Sequence, residues 1–541
     1  MSECLLVFEP SGLRISVGDA ISVLDAARRL GLHISSECGG RGTCGKCLVA
    51  MRPVPAPSDK DLQHLSEDDI ANGLRLACQH SVTTNTRVVV HQAIAKTKIL
   101  VEGMTIGEEW DIDDGLSPSK GVAIDLGTTT IVAYMMNLGD GVQIGQAAAL
   151  NPQVIYGEDV MSRITYATRE ENGGVALKEA ALKKLDELLR TLAESVGVSL
   201  KEITRLSIVG NPAMHHLLLG LDVGSLGMAP YEPVIYESLT TNGKVLGLET
   251  AKESHVYLAP NIAGFVGGDA AAFILSQRLD KAEDVVLGID IGTNGEIVLS
   301  VRGDISCCSA AAGSAFEGAL TKHGMRGQEG AIEYLKIEDP RSAPEIFVIG
   351  DVAPRGLCGS GIVDTVAQLR AANVVDAGGR MHETARVEES DEGERYYIVV
   401  EEGEEGSERR IVFTQNDVRQ VQLAKGAILT GATILMESAG VEVSEIDRLL
   451  LAGAFGNYIN PESALAIGLL PPVGLDKVVP VGNAAGEGAK KMLLSSKMKA
   501  LIEQIVSGVK YLELATQKSF SKVFAMSTLL SSTMPKRPSE R

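Results

Sequence analysis

The chain is poor in aromatic residues, which make up 4% of its 541 positions with a single Trp, and it lacks a basic excess. Lys and Arg number 50 against 70 Asp and Glu, giving a formal charge of −20. Such a surface repels phosphate backbones and anionic lipid heads, so nucleic acid is a poor partner. No uninterrupted apolar run is long enough to cross a bilayer, and Met1 to Pro10 lack a basic segment followed by an apolar core. A cytoplasmic protein is expected. Eight Cys in a chain of this length argue against a disulfide framework and for metal or redox use. The G-x-x-x-x-G-K-[ST] phosphate loop is also missing, which excludes that class of nucleotide enzyme.

What remains is a globular composition, 45% hydrophobic and 22% charged with 58 Gly, in a chain long enough for three or four packing units. Cys4 to Phe8 and Leu13 to Val17 alternate around a turn at Pro10-Ser-Gly12 and predict a β-hairpin. Ser22 to Gly31 predicts a helix with Val23, Leu24, Ala27 and Leu30 on one face. Short strands are predicted at 47–51 and 87–91. Periodicity fades between 95 and 117, a linker that either swings or docks. Beyond it, helical spacing over Val175 to Val196 and a buried strand at Leu206 to Gly210 imply an α/β body. Glu388 to Arg410 reads as an exposed, charged hairpin around Tyr396 to Val400, and the chain from about Gln517 as frayed.

Four cysteines fall close together: Cys38-Gly-Gly-Arg-Gly-Thr-Cys44-Gly-Lys-Cys47, then Cys78 in Arg75-Leu-Ala-Cys-Gln. Three thiolates on a glycine-rich loop with a fourth from a distant segment suit a two-iron cluster, whose negative charge is stabilised by inward backbone N–H groups. A structural zinc site and coincidental buried cysteines are the alternatives. Zinc ribbons pair two close C-x-x-C knuckles, whereas only one close pair stands here. The first ninety residues resemble a [2Fe–2S] ferredoxin, with a first gap one residue longer than the plant-type spacing and closer to the adrenodoxin-like one.

A second pattern occurs twice. Asp125-Leu-Gly127-Thr128-Thr129-Thr130 and Asp290-Ile-Gly292-Thr293-Asn294-Gly295 each end a buried strand and begin a returning one, about 165 residues apart. The glycines let the backbone approach a phosphate, the Thr and Asn residues offer donors, and Asp125 is suited to a hydrated Mg²⁺, with Asp290 its counterpart. A third element, Leu449 to Asn457, runs a buried strand into Gly453-Ala454-Phe455-Gly456, against which an adenine ring could lie. Together the three resemble the phosphate and adenosine motifs of the superfamily of acetate and sugar kinases, heat-shock chaperones and actin, and imply ATP binding.

The whole chain is similar to the reductive activators of corrinoid proteins. The resemblance rests also on Asn151-Pro-Gln153 with Tyr156 to Arg163, Gly210 to His215, Ala259-Pro260 with Gly267-Gly-Asp269, Gly313 to Gly318 and Cys358 to Gly361. It implies a multidomain protein: an α+β ferredoxin-like (β-grasp) domain over 1–94, a linker over 95–117, and a two-lobed α/β actin-like (ASKHA) ATPase fold. The lobes are expected at 118–285, with 118–205 a candidate separate middle domain, and at 286–512, before a flexible tail over 513–541. The implied activity is ATP-driven reduction of a Co(II) corrinoid to Co(I) on a methyltransferase's corrinoid protein, fed by a low-potential donor of ferredoxin or flavodoxin type, with homodimers consistent with the family. The corrinoid must sit on the partner, since this chain has no Asp-x-His-x-x-Gly signature. Two other readings are an ATP-dependent activator of a radical dehydratase, whose [4Fe–4S] site uses cysteines of the ATPase fold itself, and a redox sensor with nucleotide-dependent partner binding.

Some residues invite stronger readings than they support. His215 and His216 are read as a satisfied structural pair beside Leu217 to Leu219, with a place near the corrinoid as the alternative. Cys307, Cys308 and Cys358 are read as packing residues. Glu317 is a candidate for positioning water or metal.

Overall fold

The computed structural model describes residues 4–90, apart from 10, 11, 18–20, 31, 33, 35–41 and 43–46, and residues 112–534, apart from 115, 117, 118, 158, 293, 314, 319, 326 and 457. It divides into two compact units, 1–98 and 99–541.

In the first unit, β1 (Cys4–Glu9) and β2 (Leu13–Val17) form the expected antiparallel hairpin. With β3 (Leu48–Arg52), β4 (Leu74–Leu76) and β5 (Thr86–Val89) they make a mixed sheet of order β2-β1-β5-β3-β4, in which β1 and β5 run parallel. The helix Val23–Arg29 lays Val23, Leu24, Ala26 and Ala27 on Leu6, Phe8, Val49, Met51, Leu76 and Val88. One helix grasped by a mixed sheet of five strands is the β-grasp arrangement expected from the ferredoxin resemblance. Phe8 is fully buried there, so truncating it to Ala would cost about 3–5 kcal/mol.

The second unit repeats one plan. β6 (Lys120–Leu126), β7 (Thr130–Asn137) and β8 (Gln143–Leu150) form an antiparallel meander, and β9 (Ile203–Gly210) joins β6 in parallel. β10 (Leu239–Asn242) and β11 (His255–Leu258) complete a sheet of order β10-β11-β9-β6-β7-β8. β12 (Val285–Ile291), β13 (Gly295–Val301) and β14 (Asp304–Ala310) make the second meander. An insert then carries two small sheets, β15 (Ala331–Lys336) with β16 (Glu345–Val348) and β17 (Gly356–Leu357), and β18 (Val387–Glu389) with β19 (Arg395–Val400) and β20 (Ile411–Thr414). β21 (Arg448–Ala452) and β22 (Val478–Gly482) add in parallel beside β12, and β23 (Lys510–Tyr511) closes the far edge.

Both faces of the paired strands are covered, which is why they read as near-continuous apolar runs. Val122, Ile124 and Leu126 of β6 point into a core shared with the helix Gly173–Val196. Ala123 points the other way, into an interlobe core built on the helices Gly268–Ser276 and Ala484–Leu494 together with Val286, Val298 and Leu450 of the second sheet. Successive strand residues alternate between faces. Asp125 and Asp290 therefore share the inner face, at the carboxyl ends of β6 and β12. The same alternation splits Cys307 and Cys308, both fully buried on β14, between the interlobe core and the outer core of the second lobe.

Four expectations need correction. Residues 118–205 are not a separate middle domain, because β6 to β8 share one hydrogen-bonded sheet with β9 to β11. The second lobe does not keep all of 286–512, since the helix Ala484–Leu494 packs against β6 and β9 of the first. The tail does not fray at 513: the helix Phe520–Ser527 packs on the helix Gln415–Ala439, with Leu514, Val523 and Leu530 buried, while 535–541 lie outside the described residues. The stretch 388–410 does contain a hairpin, but it is not a solvated insertion, because Tyr397, Ile398, Val399 and Val400 of β19 are buried. Of the linker, 95–111 lies outside the described residues. From residue 112 the chain is docked on its own unit, Asp113 N donating to Leu494 O at 3.0 Å and its carboxylate accepting from Ser496 N at 3.0 Å.

Candidate functional site

In the first unit the antiparallel pairing of Leu48 with Leu76 brings Cys47 and Cys78 to one end of β3 and β4, where Ala77 N donates to Cys47 O at 2.7 Å. Cys47 is buried, and Cys78 Sγ accepts from Gln79 Nε2 at 3.2 Å. Gly42 has φ +69°, a left-handed conformation that favours glycine, and the Gln79 side chain lies close against it. Cys38 and Cys44 lie outside the described residues. A Cys78 sulfur that already receives an N–H, with Cys47 at the same end of the sheet, fits the ligand shell of a [2Fe–2S] cluster. The sequence reading missed what holds that segment. Asp61 is buried and accepts from Leu76 N at 2.8 Å, from Ser58 N at 2.7 Å and from His80 at 2.5 Å. Burial opposes its charge, yet these donors keep its carboxyl below the usual range.

In the second unit the two phosphate turns face one cleft. Gly127 N donates to Thr130 O at 3.1 Å and Gly292 N to Asn294 O at 3.0 Å, so each turn is tight and self-closed. Asn211 Nδ2 donates to Thr128 Oγ1 at 2.8 Å, and Asn151 Nδ2 to Gly127 O at 2.9 Å. Across the cleft, Thr129 Oγ1 donates to Glu317 Oε2 at 3.0 Å, which brings the candidate Glu317 of the second lobe onto the first turn. Gly453 begins the short helix Gly453–Gly456 with φ +87°, and any Cβ there would collide with Asp290 Oδ1. That glycine lets the Gly453–Gly456 segment, expected to meet adenosine, lie directly on the Asp290 turn. Gly295 opens β13, and Thr130 opens β7. Thr293 lies outside the described residues, as do the side chains of Ala454 and Phe455.

The floor of the cleft is acidic. Asp125 and Asp290 are each pushed up to about 7, first by burial; Asn483 Nδ2, donating at 2.8 Å, partly offsets this for Asp125, while Asp269 and Asp125 add to it for Asp290. Asp269, in the first turn of the helix Gly268–Ser276, rises to about 6 by burial, and Glu296, paired across the strands with Asp290, rises well above its ordinary value through burial, Asp269 and Asp290. Among the described residues no basic group offsets these four shifts. Acids buried together without a basic partner suit a cation, although no three of the described acids close into a direct metal cage. Sequence reasoning missed Asn483 and Glu296 outright, and quoted Asp269 only within Gly-Gly-Asp. A surface cavity of about 610 Å³ near Arg355 and Arg409 belongs to the insert and contains none of these residues.

His216 is satisfied, its Nδ1 donating to Pro212 O at 2.7 Å and its Nε2 accepting from Val234 N at 2.9 Å. His215 is held neutral by burial, its value pushed down to about 3.

Three family models tile the chain: a 2Fe-2S iron-sulfur cluster binding domain over 7–83, the RACo middle region over 120–282, and the C-terminal domain of RACo, the ASKHA domain, over 284–539. The corrinoid activation enzyme RamQ of Eubacterium limosum is 31% identical over 95% of this chain and 97% of its own length. The chain belongs to the RACo family of corrinoid reductive activators. A second family relative, the [Co(II) methylated amine-specific corrinoid protein] reductase of Methanosarcina barkeri, is 21% identical over 75% of this chain and 76% of its own. A solved reductive activator for a corrinoid, iron-sulfur protein superposes with a TM-score of 0.72 at 29% identity, covering 98% of both chains. Within the RACo architecture, the middle region carries Asp125 and Asp269, while the ASKHA region carries Asp290, Glu296, Glu317 and Asn483. The acidic floor is thus assembled from both. Among the described residues no helix is long and apolar enough to cross a membrane.

Proposed function

We propose that this protein spends ATP to deliver one electron at a time to a Co(II) corrinoid protein, returning it to Co(I) for methyl transfer. The observation that carries the reading is the union, within one member of this family, of a cysteine-bearing β-grasp unit and a duplicated phosphate cleft. Cys38, Cys44, Cys47 and Cys78 are the proposed cluster ligands, and a [2Fe–2S] cluster held there supplies a one-electron carrier. Gln79 steadies the Cys78 sulfur, and Asp61 and His80 keep that segment in register with β4.

In the cleft, the backbone N–H groups and hydroxyls of Gly127 to Thr130 and Gly292 to Gly295 receive the phosphates, and Gly453 to Gly456 receive the adenosine. Asp125 and Asp290, with Asp269 and Glu296 beside them, hold the water shell of Mg²⁺ and orient the attacking water. The Thr129 to Glu317 contact lets occupancy of the first turn be felt by the second lobe.

Ferredoxin-type clusters lie near about −400 mV and Co(I) is a stronger reductant, so the transfer runs uphill. A gap of roughly 100–200 mV corresponds to about 2–5 kcal/mol for one electron, within the reach of nucleotide-dependent binding. The donor is inferred to be a low-potential ferredoxin or flavodoxin-like protein, the setting cytoplasmic, and the assembly a homodimer. The test mixes anaerobically reconstituted protein with a Co(II) corrinoid protein and a low-potential reductant. Co(I) absorption should grow only with Mg²⁺ and ATP; equal growth without nucleotide would overturn the mechanism.

A further inference from the structure

Arg163, on the helix Val160–Arg169, is fully buried. Its Nε donates to Gly157 O at 2.8 Å, and its Nη1 to Gln153 Oε1 at 3.3 Å and to Met214 Sδ at 3.4 Å. None of these acceptors is an anion, and among the described residues Nη2 has no hydrogen-bond partner. Burial pulls its value down to about 10, while the more distant carboxylates Asp159 and Glu317 hold it up. A guanidinium stripped of water without an ion-pair partner is costly, and such groups concentrate where a ligand completes the charge balance.

Its place in the fold says which ligand. Gln153 Oε1 also accepts from Asn151 Nδ2 at 3.4 Å, and that same nitrogen donates to Gly127 O at 2.9 Å. Asn151 N donates to Thr129 O at 2.8 Å, and Thr129 in turn touches Glu317. Asn151, Gln153 and Arg163 are all essentially sealed from solvent. The buried cation therefore stands two side chains behind the first phosphate turn, and one of the carboxylates that feels its field lies on that turn.

We propose that Arg163 is the positioning residue of the first phosphate turn, bracing Gln153 and Asn151 against Gly127 and Thr129 and adding its charge, held by no direct ion pair among the described residues, to the field at the polyphosphate of the nucleotide. This rests on the nucleotide reading above and adds to it a residue and a selectivity. A field effect scales with the charge of the ligand, whereas a packing effect does not. At an effective dielectric of about 20, one unit charge acting over any distance of about 8–12 Å is worth roughly 10- to 30-fold in affinity.

The experiment measures dissociation constants of full-length protein for ATP, ADP, AMP and adenosine, with circular dichroism and melting curves as a check on folding. Arg163→Met should weaken ATP most, by roughly 10- to 30-fold, ADP and AMP by progressively less as their charge falls, and adenosine by less than about threefold. Arg163→Lys, which keeps the charge and loses the fork, should recover most of the preference for ATP. Gln153→Glu supplies the missing anion without removing the arginine, and should also flatten the ATP-to-AMP ratio; it serves as the variant of record if Arg163→Met does not fold. Equal weakening of all four ligands, or no change in the ratio, overturns the inference. Failure of the unaltered protein to bind ATP would instead strike the nucleotide reading itself.

Discussion

The two phosphate turns share strand, aspartate and glycine, yet the two lobes treat their aspartates in opposite ways. Asp125 faces Val132 across the meander and is steadied by the N–H of Asn483. Asp290 faces Glu296, a second carboxylate in direct cross-strand register, which costs stability of up to about 1 kcal/mol. The first lobe thus keeps its acid positioned in advance, and the second stores a repulsion that a cation relieves. A duplicated fold has not produced two interchangeable half-sites. The lobes' buried cations differ as well: Arg163 backs a phosphate turn, whereas Lys425, equally sealed, donates to Leu529 O and pins the C-terminal segment.

The sharpest way to break this asymmetry is to neutralise the second lobe. Asp290→Asn should lower ATP turnover by about 10³-fold, and Glu296→Gln should lower it less while raising the melting temperature measured without Mg²⁺. A Glu296→Gln protein that melts lower would contradict the stored repulsion. Next in size is Lys425, pulled down to about 7 by burial against about 10.4 in the unfolded chain. Between those values the unfolded state binds the extra proton, so stability rises with pH at about 1 kcal/mol per unit, and below pH 7 the deficit is constant. Lys425→Met should flatten that slope in urea melts at pH 7, 8 and 9, and should stabilise most at the lowest of them. In the first lobe, Asn483→Ala removes the donor to Asp125 and should cost about 1 kcal/mol, with turnover down about tenfold. The smallest effect is expected for Thr129→Val, which loses the bond to Glu317: a rise in KM for ATP of about two- to fivefold with kcat little changed.

Much of this was legible because it is local. The hairpin at Cys4 to Val17, the glycine-rich cysteine loop and both Asp-x-Gly turns declare themselves through spacing that a strand or turn imposes on neighbours in sequence. Asn483 could not declare itself that way, since it reaches Asp125 from 358 residues away through a fold that must first bring both lobes together. Glu296 was hidden by standing in an apolar strand, where only pairing register gives it a partner. The segment after 513 looked frayed because its few apolar anchors, Leu514, Val523 and Leu530, are widely spaced and part of its hold is through backbone carbonyls: Thr528 O accepts from Gln422 at 2.9 Å and Leu530 O from Arg370 at 3.2 Å. Carbonyl contacts leave no mark on residue type, and three leucines and valines spread over 514–530 make no sustained period. In β19 the charges around Tyr397 to Val400 suggested exposure, but they settle among themselves at the rim, Arg410 pairing with Glu388 at 2.7 Å and with Glu401 at 2.8 Å.

The return of the helix Ala484–Leu494 to the first sheet has a consequence for dissecting the gene. A fragment ending near residue 284 would leave one side of the helix Gly268–Ser276 bare, since its packing mate is encoded two hundred codons downstream. Halves produced separately should precipitate, and halves produced together should reassemble, with Asn483 as the stitch that closes them.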